Sequence, residues 1–177
     1  MPKKVWYAPN KFESYGEEEI KAVENCLRDW WLAGFGERTI EFEKRVSDYF
    51  GKKYGLFVNS GSSAILVGLC ALDLPKGSEV VTPACGFATT VAPLEQLGLK
   101  PVFCDVDLTS YVTTVEQLRR VVTPETKCLI LPNLIGNVPD WQAIREAFPG
   151  VILFEDSADT MTHTSCTDIS TTSFYAS

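Results

Sequence analysis

Apolar positions in the first fifty residues recur with a helical period. Over residues 17–31, Ile20, Val23, Leu27 and Trp30/Trp31 share one face, and Ser14-Tyr15-Gly16-Glu17 has the S-x-x-E form of a capping box. Ala33-Gly34-Phe35-Gly36 stops this predicted helix. A second predicted helix carries Phe42, Val46 and Tyr49/Phe50 on one face, with Gly51 at its end.

From residue 54 onward the period changes. Short, almost uniformly apolar segments at 54–58, 79–82, 101–104, 127–131 and 151–154 predict strands. Between them, 62–74, 88–97 (interrupted by Pro93), 115–122 and 141–148 predict helices. Segment 62–74 is apolar almost all round, which predicts a helix buried on most sides. This alternation predicts an α/β fold with a mostly parallel sheet covered by helices on both faces. No internal repeat of fixed period is present. The predicted organisation is an N-terminal helical segment, 1–53, followed by the first part of an α/β domain, 54–177.

The end of the chain has a different texture. From Thr162 to Ser177 more than half the residues are Ser or Thr, which reads as a polar loop or frayed tail. Residues 169–175 are also acceptable as a strand. An α/β sheet seldom stops on an unprotected strand, so the expectation is a domain that continues beyond these 177 residues.

Composition narrows the function classes. Hydrophobic residues make up 45% and charged residues 22%, which excludes a disordered chain. No apolar run approaches the roughly 20 residues needed to span a bilayer. No apolar signal core follows Met1-Pro2-Lys3-Lys4-Val5-Trp6, so the expected compartment is the cytoplasm. A net charge of −7 disfavours general binding to nucleic acid or anionic membranes, while leaving room for an anionic small molecule held by local dipoles. The six cysteines form no C-x-x-C pair and read as buried free thiols rather than disulfides or metal ligands. His163, the only histidine, reads as a loop residue, with a functional role as the alternative.

Ligand sites in open α/β sheets gather at the C-terminal ends of the strands. After Val58 comes Asn59-Ser60-Gly61-Ser62-Ser63, leading into a helix. Backbone N–H groups, a helix dipole and hydroxyls meet there in a form suited to phosphate, or else Ser62 simply caps the helix. The segment is neither a Walker loop nor G-x-G-x-x-G. After Val81 comes a stretch containing Phe87, either a stacking platform for a planar ring or a core aromatic. After Phe154 comes Glu155-Asp156-Ser157-Ala158-Asp159. Carboxylates just beyond a buried strand call for a proton-bearing nitrogen or a cation as partner, with metal binding as the competing reading.

These segments, in this order and spacing, resemble the DegT/DnrJ/EryC1/StrS family. The likeness rests on Asn59-Ser60-Gly61-Ser62-Ser63-Ala64, Pro83…Phe87-Ala88-Thr89, Phe154-Glu155-Asp156-Ser157-Ala158-Asp159 and Ser173-Phe174-Tyr175. The upstream Trp31-Leu32-Ala33-Gly34…Glu41-Phe42-Glu43 also looks like that family's N-terminal segment. The resemblance implies a type I PLP-dependent aminotransferase fold, with 54–177 as the first part of the cofactor-binding large domain. The implied cofactor is pyridoxal 5'-phosphate (PLP) or pyridoxamine 5'-phosphate (PMP), and the implied substrate is a nucleotide-linked keto-sugar. The resemblance further implies a homodimer for the complete protein.

On this resemblance Gly61, Ser62 and Ser63 would hold the cofactor phosphate, with a further hydroxyl from Ser173, and Phe87 would stack on the pyridine ring. Asp156 would pair with the ring nitrogen, and a protonated nitrogen is what lets the ring accept electrons. Asp159 stands near the ring's phenolic oxygen, where family aminotransferases usually carry Gln or His. An acidic residue there looks more like the sugar 3-dehydratase branch. Pro132-Asn133-Leu134-Ile135-Gly136-Asn137, in place of a His-containing segment, leans the same way. Ala158 stands where one dehydratase subgroup has an iron–sulfur cysteine, so no such cluster and no metal is expected.

The family's decisive group lies five residues beyond Ser173, at position 178. A Lys there would carry the cofactor of an aminotransferase, and a His would be the base of a 3-dehydratase. The expected function is C-3 dehydration of a 4-keto-6-deoxy sugar, with a sugar aminotransferase as the alternative. A non-catalytic binding module is a further alternative, and a Rossmann-like nucleotide binder is disfavoured by the missing glycine fingerprint.

Overall fold

The computed structural model describes residues 15–29, 34–162 and 164–175. Ser14, Trp30, Trp31, Ala33 and His163, named above, lie outside them.

Helix α1, Glu17–Arg28, opens with three acidic residues that complement its dipole, and Glu19 Oε2 accepts the Gly16 N–H at 2.7 Å. None of its residues is buried: the expected apolar stripe of Ile20, Val23 and Leu27 faces outward. Helix α2, Glu37–Tyr49, is followed by the buried Phe50. Its end is tied to the far end of the chain. Tyr49 Oη donates to the Met161 carbonyl at 3.1 Å, and Lys52 Nζ donates to both the carbonyl and the hydroxyl of Thr167.

The sheet has five strands: β1 Glu79–Pro83, β2 Lys100–Cys104, β3 Thr126–Pro132, β4 Ile152–Ser157 and β5 Ile169–Thr172. Their order is β2-β1-β3-β4-β5, and every pair is parallel. Helices α3 Gly61–Ala71 and α4 Ala88–Gln96 cover one face, while α5 Val115–Arg119 and α6 Trp141–Ala147 cover the other. Alternation along the strands feeds both layers. Val80, Cys128, Ile130 and Phe154 pack with Ile65, Leu69 and Leu94, whereas Val81, Leu129, Leu131 and Leu153 pack with Leu118, Trp141 and Ile144. The expected α/β architecture with two covered faces is therefore the one observed.

Four expectations differ from the structure. Residues 54–58 form no strand: Phe57 N–H donates to Glu43 Oε1 at 2.8 Å, and Tyr54, Leu56 and Phe57 are exposed rather than paired. Helix α3 buries only Ile65 and Leu69, because one side meets the sheet while Val67 and Cys70 face away. Its first turn is capped by Ser60, whose hydroxyl accepts the Ser63 N–H at 3.1 Å, and not by Ser62. All six cysteines are free, but only Cys104 and Cys128 are buried; Cys70 and Cys85 are exposed. The Ser/Thr-rich segment resolves toward a strand, since β5 pairs with β4 from Phe154↔Ile169 to Ser157↔Thr172.

Helix α3 lies close enough to β4 to require a glycine. A Cβ added at Gly68 would sit 2.8 Å from Phe154 Cζ, and Phe154 is fully buried. Gly68→Ala is expected to destabilise the fold by about 1–3 kcal/mol through overpacking, read as a lower denaturation midpoint with unchanged slope.

Candidate functional site

The strand ends of β1, β3 and β4 and the starts of α3 and α4 meet along one edge of the sheet. At α3, the Ser60 cap leaves the N–H groups of Gly61 and Ser62 in the first turn, with no acceptor among the described residues. Ser62 is exposed and takes no part in the cap, while the Ser63 hydroxyl accepts from Ser60 Oγ at 3.1 Å. A Cβ at Gly61 would lie 3.2 Å from Ser173 Cβ and 3.5 Å from Ser173 Oγ. The chain beyond β5 therefore returns to the α3 N-terminus, bringing Ser173 beside Gly61. The Phe174 ring packs edge-on to Phe42, centroids 4.9 Å apart, and holds that return in place.

Asp156 sits near the end of β4, between Pro132 of β3 and Thr171 of β5, and is 5% exposed. Thr90 Oγ1 donates to its Oδ2 at 2.8 Å, and the Ala158 N–H donates to Oδ1 at 3.2 Å. Burial pushes this carboxyl above the ordinary aspartate range. Those two hydrogen bonds oppose the shift and the nearby Asp159 charge adds to it. Thr90 carries no motif of its own. Its part emerges only when α4 is laid over the sheet, so the sequence offered no signal for it.

Phe87 is the N-cap residue of α4 and is 70% exposed, so it is no core aromatic. With Thr82, Pro83, Gly86, Thr90 and Pro132 it lines an open hollow of about 450 Å³, within the usual range for small-ligand sites. A planar ring laid on Phe87 would have the Asp156–Thr90 pair next to the same hollow. A buried carboxyl with no cationic partner among the described residues, beside an exposed aromatic and a helix N-terminus with open N–H groups, has the donor and acceptor chemistry that a phosphorylated pyridine requires.

Asp159 is exposed on the loop after β4, and its Oδ2 accepts the N–H of Ile135 at 3.2 Å. Ile135 follows β3 with φ +53°, a left-handed conformation uncommon for a β-branched residue. Asp156 and Asp159 thus lie on one edge, but their carboxylates are committed to different neighbours. Among the described residues, no group of three or more His, Cys, Asp or Glu side chains could hold a metal.

A second acidic group went unassigned from the sequence. Glu155 is fully buried and points to the opposite sheet face from Asp156. Asn133 Nδ2 donates to its Oε1 at 2.7 Å, Ser157 Oγ at 3.0 Å, and Thr162 Oγ1 joins them. Thr167 Oγ1 and Ser170 Oγ donate to Oε2 at 3.1 and 2.7 Å. The available signal was the density of hydroxyl residues after Thr162, which read only as loop composition.

Comparison with known proteins identifies the family and the fold. The profile of the DegT/DnrJ/EryC1/StrS aminotransferase family matches residues 13–177, and the chain belongs to that family. It is 33% identical over 161 residues to the GDP-4-keto-6-deoxy-D-mannose 3-dehydratase of Yersinia pseudotuberculosis, covering 86% of this chain and 41% of that protein. It is also 33% identical over 147 residues to the dTDP-4-dehydro-2,3,6-trideoxy-D-glucose 4-aminotransferase of Saccharopolyspora spinosa, covering 81% and 38%. The solved structure of the Escherichia coli GDP-4-keto-6-deoxy-D-mannose-3-dehydratase with bound hydrated PLP superposes with a TM-score of 0.82 at 32% identity. That match covers 89% of this chain and 42% of the other. The chain spans about two fifths of the length of these relatives.

The raised carboxyl of Asp156 has a measurable consequence. Its folded-state pKa lies above the unfolded value, so the folded form binds that proton more tightly. The stabilisation is present below the unfolded aspartate range and is lost as pH rises through the folded pKa. For cofactor-free protein, Asp156→Asn is expected to flatten that part of the melting-temperature profile, measured by thermal denaturation across the acidic pH range.

Proposed function

We propose that the whole protein is a PLP- or PMP-dependent enzyme of nucleotide-sugar (deoxysugar) metabolism that removes the C-3 hydroxyl of a 4-keto-6-deoxy sugar. The observation that carries this reading is the buried Asp156, hydrogen-bonded to Thr90 beside the Phe87 hollow. A PLP or PMP held there would supply an electron sink for the chemistry at the sugar. Gly61 and Ser62 offer N–H groups to its phosphate, with hydroxyls of Ser62, Ser63 and Ser173 around them. Phe87 supports the ring face. Asp156, whose carboxyl burial holds above the ordinary aspartate range, would pair as a carboxylate with a cationic ring nitrogen and keep the proton on that nitrogen. Asp159, which accepts the Ile135 N–H, adds an acidic group at the same edge, and the family resemblance would set it near the ring's phenolic oxygen. The base that would remove the proton and let the C-3 hydroxyl leave is expected at position 178.

The dehydratase choice is supported by Asp159, by the His-free segment Pro132-Asn133-Leu134-Ile135-Gly136-Asn137, and by the 3-dehydratases among the relatives. The second reading, a sugar aminotransferase, is favoured by the equal identity to the Saccharopolyspora spinosa aminotransferase. In this reading the whole protein is a homodimer, and the uncovered apolar stripe of α1 is consistent with cover by a second surface. A cytoplasmic location is supported by six free cysteines. Among the described residues, no helix is long and apolar enough to cross a membrane.

The whole protein is expected to bind PLP or PMP with a near-ultraviolet or visible absorbance band. Asp156→Asn should lower turnover about a hundredfold or more, the scale of removing one aligned electrostatic group, with little loss of folding stability. A well-folded whole protein with no such band would overturn the reading. A His at position 178 selects dehydration, and a Lys there selects transamination.

A further inference from the structure

Strands β4 and β5 are parallel neighbours joined by residues 158–168, whose described residues form no helix. Parallel neighbours ordinarily need a crossover of a dozen or more residues, usually a helix that covers the sheet face. Here that face ends on Glu155 instead of an apolar side chain. Its two carboxylate oxygens take hydrogen bonds from both ends of the connection: Ser157 and Thr162 at the start, Thr167 and Ser170 at the finish. Asn133, at the end of β3, adds a fifth donor, and Trp141 of α6 in turn donates to Asn133 Oδ1 at 3.2 Å. Lys52, following α2, reaches the carbonyl and hydroxyl of Thr167, so a half-buried ammonium lies at the border of the cluster.

The register ties this cluster to the candidate site on the other face. Glu155 is paired directly with Ser170, and its side chain grips the Ser170 hydroxyl at 2.7 Å. Three residues further on, Ser173 lies against Gly61 at the N-terminus of α3. A slip of β5 by one residue would break the Glu155–Ser170 contact and carry Ser173 away from Gly61. Glu155 itself points away from Asp156 and the Phe87 hollow, and its contact with Ser170 is its link to Ser173.

We infer that Glu155 is a positioning residue for cofactor phosphate: it locks β5 in the register that sets Ser173 beside the α3 N-terminus. This inference rests on the phosphate site of the reading above. Its signature is selective. Loosening β5 weakens binding of the phosphorylated cofactor and leaves binding of the unphosphorylated ring nearly unchanged, whereas a general loss of structure weakens both.

The test compares PLP with pyridoxal, which lacks the phosphate, by absorbance or fluorescence titration of the whole protein. Glu155→Gln is expected to weaken PLP about tenfold, the scale of one charge-assisted hydrogen bond, with pyridoxal binding within about twofold of wild type. Ser170→Ala, which removes one donor and should fold even if Glu155→Gln does not, is expected to shift the PLP-to-pyridoxal ratio the same way by about threefold. An unchanged ratio in a variant that folds, whether both ligands weaken equally or neither does, would overturn the inference while leaving the cofactor reading intact. A folded wild-type protein that binds neither compound would overturn the cofactor reading and the inference with it.

Discussion

Two acidic side chains buried next to each other at the end of β4 set the terms for much of this structure. A carboxyl removed from water must find donors or a cation, or else hold its proton. Strand alternation sends Glu155 and Asp156 to opposite faces, so the two find different solutions. Glu155 is surrounded by side-chain donors drawn from β3, β4, β5 and the connection between them. Asp156 has one hydroxyl and one backbone N–H, with an open hollow alongside its threonine partner. The first arrangement is complete within the chain. The second is a carboxyl whose charge is still to be balanced, which is the property expected of a group that meets a ligand.

The fold was legible because its helices and strands announce themselves through local periodicity. Val80/Val81 and Leu153/Phe154 read as continuous apolar runs, and a strand buried on both faces demands such runs. Segment 54–58 shows the limit of the same argument. Its composition suits a strand, yet a strand exists only through a neighbour, and composition cannot supply one. Helix α3 meets the same limit: an apolar surface all round states what could be buried, not which partners are present to bury it.

The candidate site was legible to the extent that its parts sit in short contiguous motifs. Gly61, Phe87, Asp156 and Ser173 come from four separate segments, and the structure brings all four segments to one sheet edge. Thr90 and the donors around Glu155 were not legible. They depend on which hydroxyls are turned inward, and Ser or Thr in a polar stretch looks the same whether it faces solvent or a buried carboxylate. Segment 162–173 therefore resembled a frayed tail while supplying Thr162, Thr167 and Ser170 to one anion.

The absence of a helix between β4 and β5 has a consequence for how this site can diversify. A crossover helix would fix its residues by apolar packing, where each position constrains the next. A loop fastened by hydrogen bonds, to Glu155 from beneath and from Tyr49 and Lys52 further along, leaves the residues just after β4 with little packing to constrain them. Asp159 is among them, making a single contact to the Ile135 backbone. Position 159 can thus be exchanged for another polar residue at little cost to the sheet. Asp156, inside the strand itself, has no such latitude. The two aspartates differ in mutational freedom, and the boundary between them is the point where β4 ends.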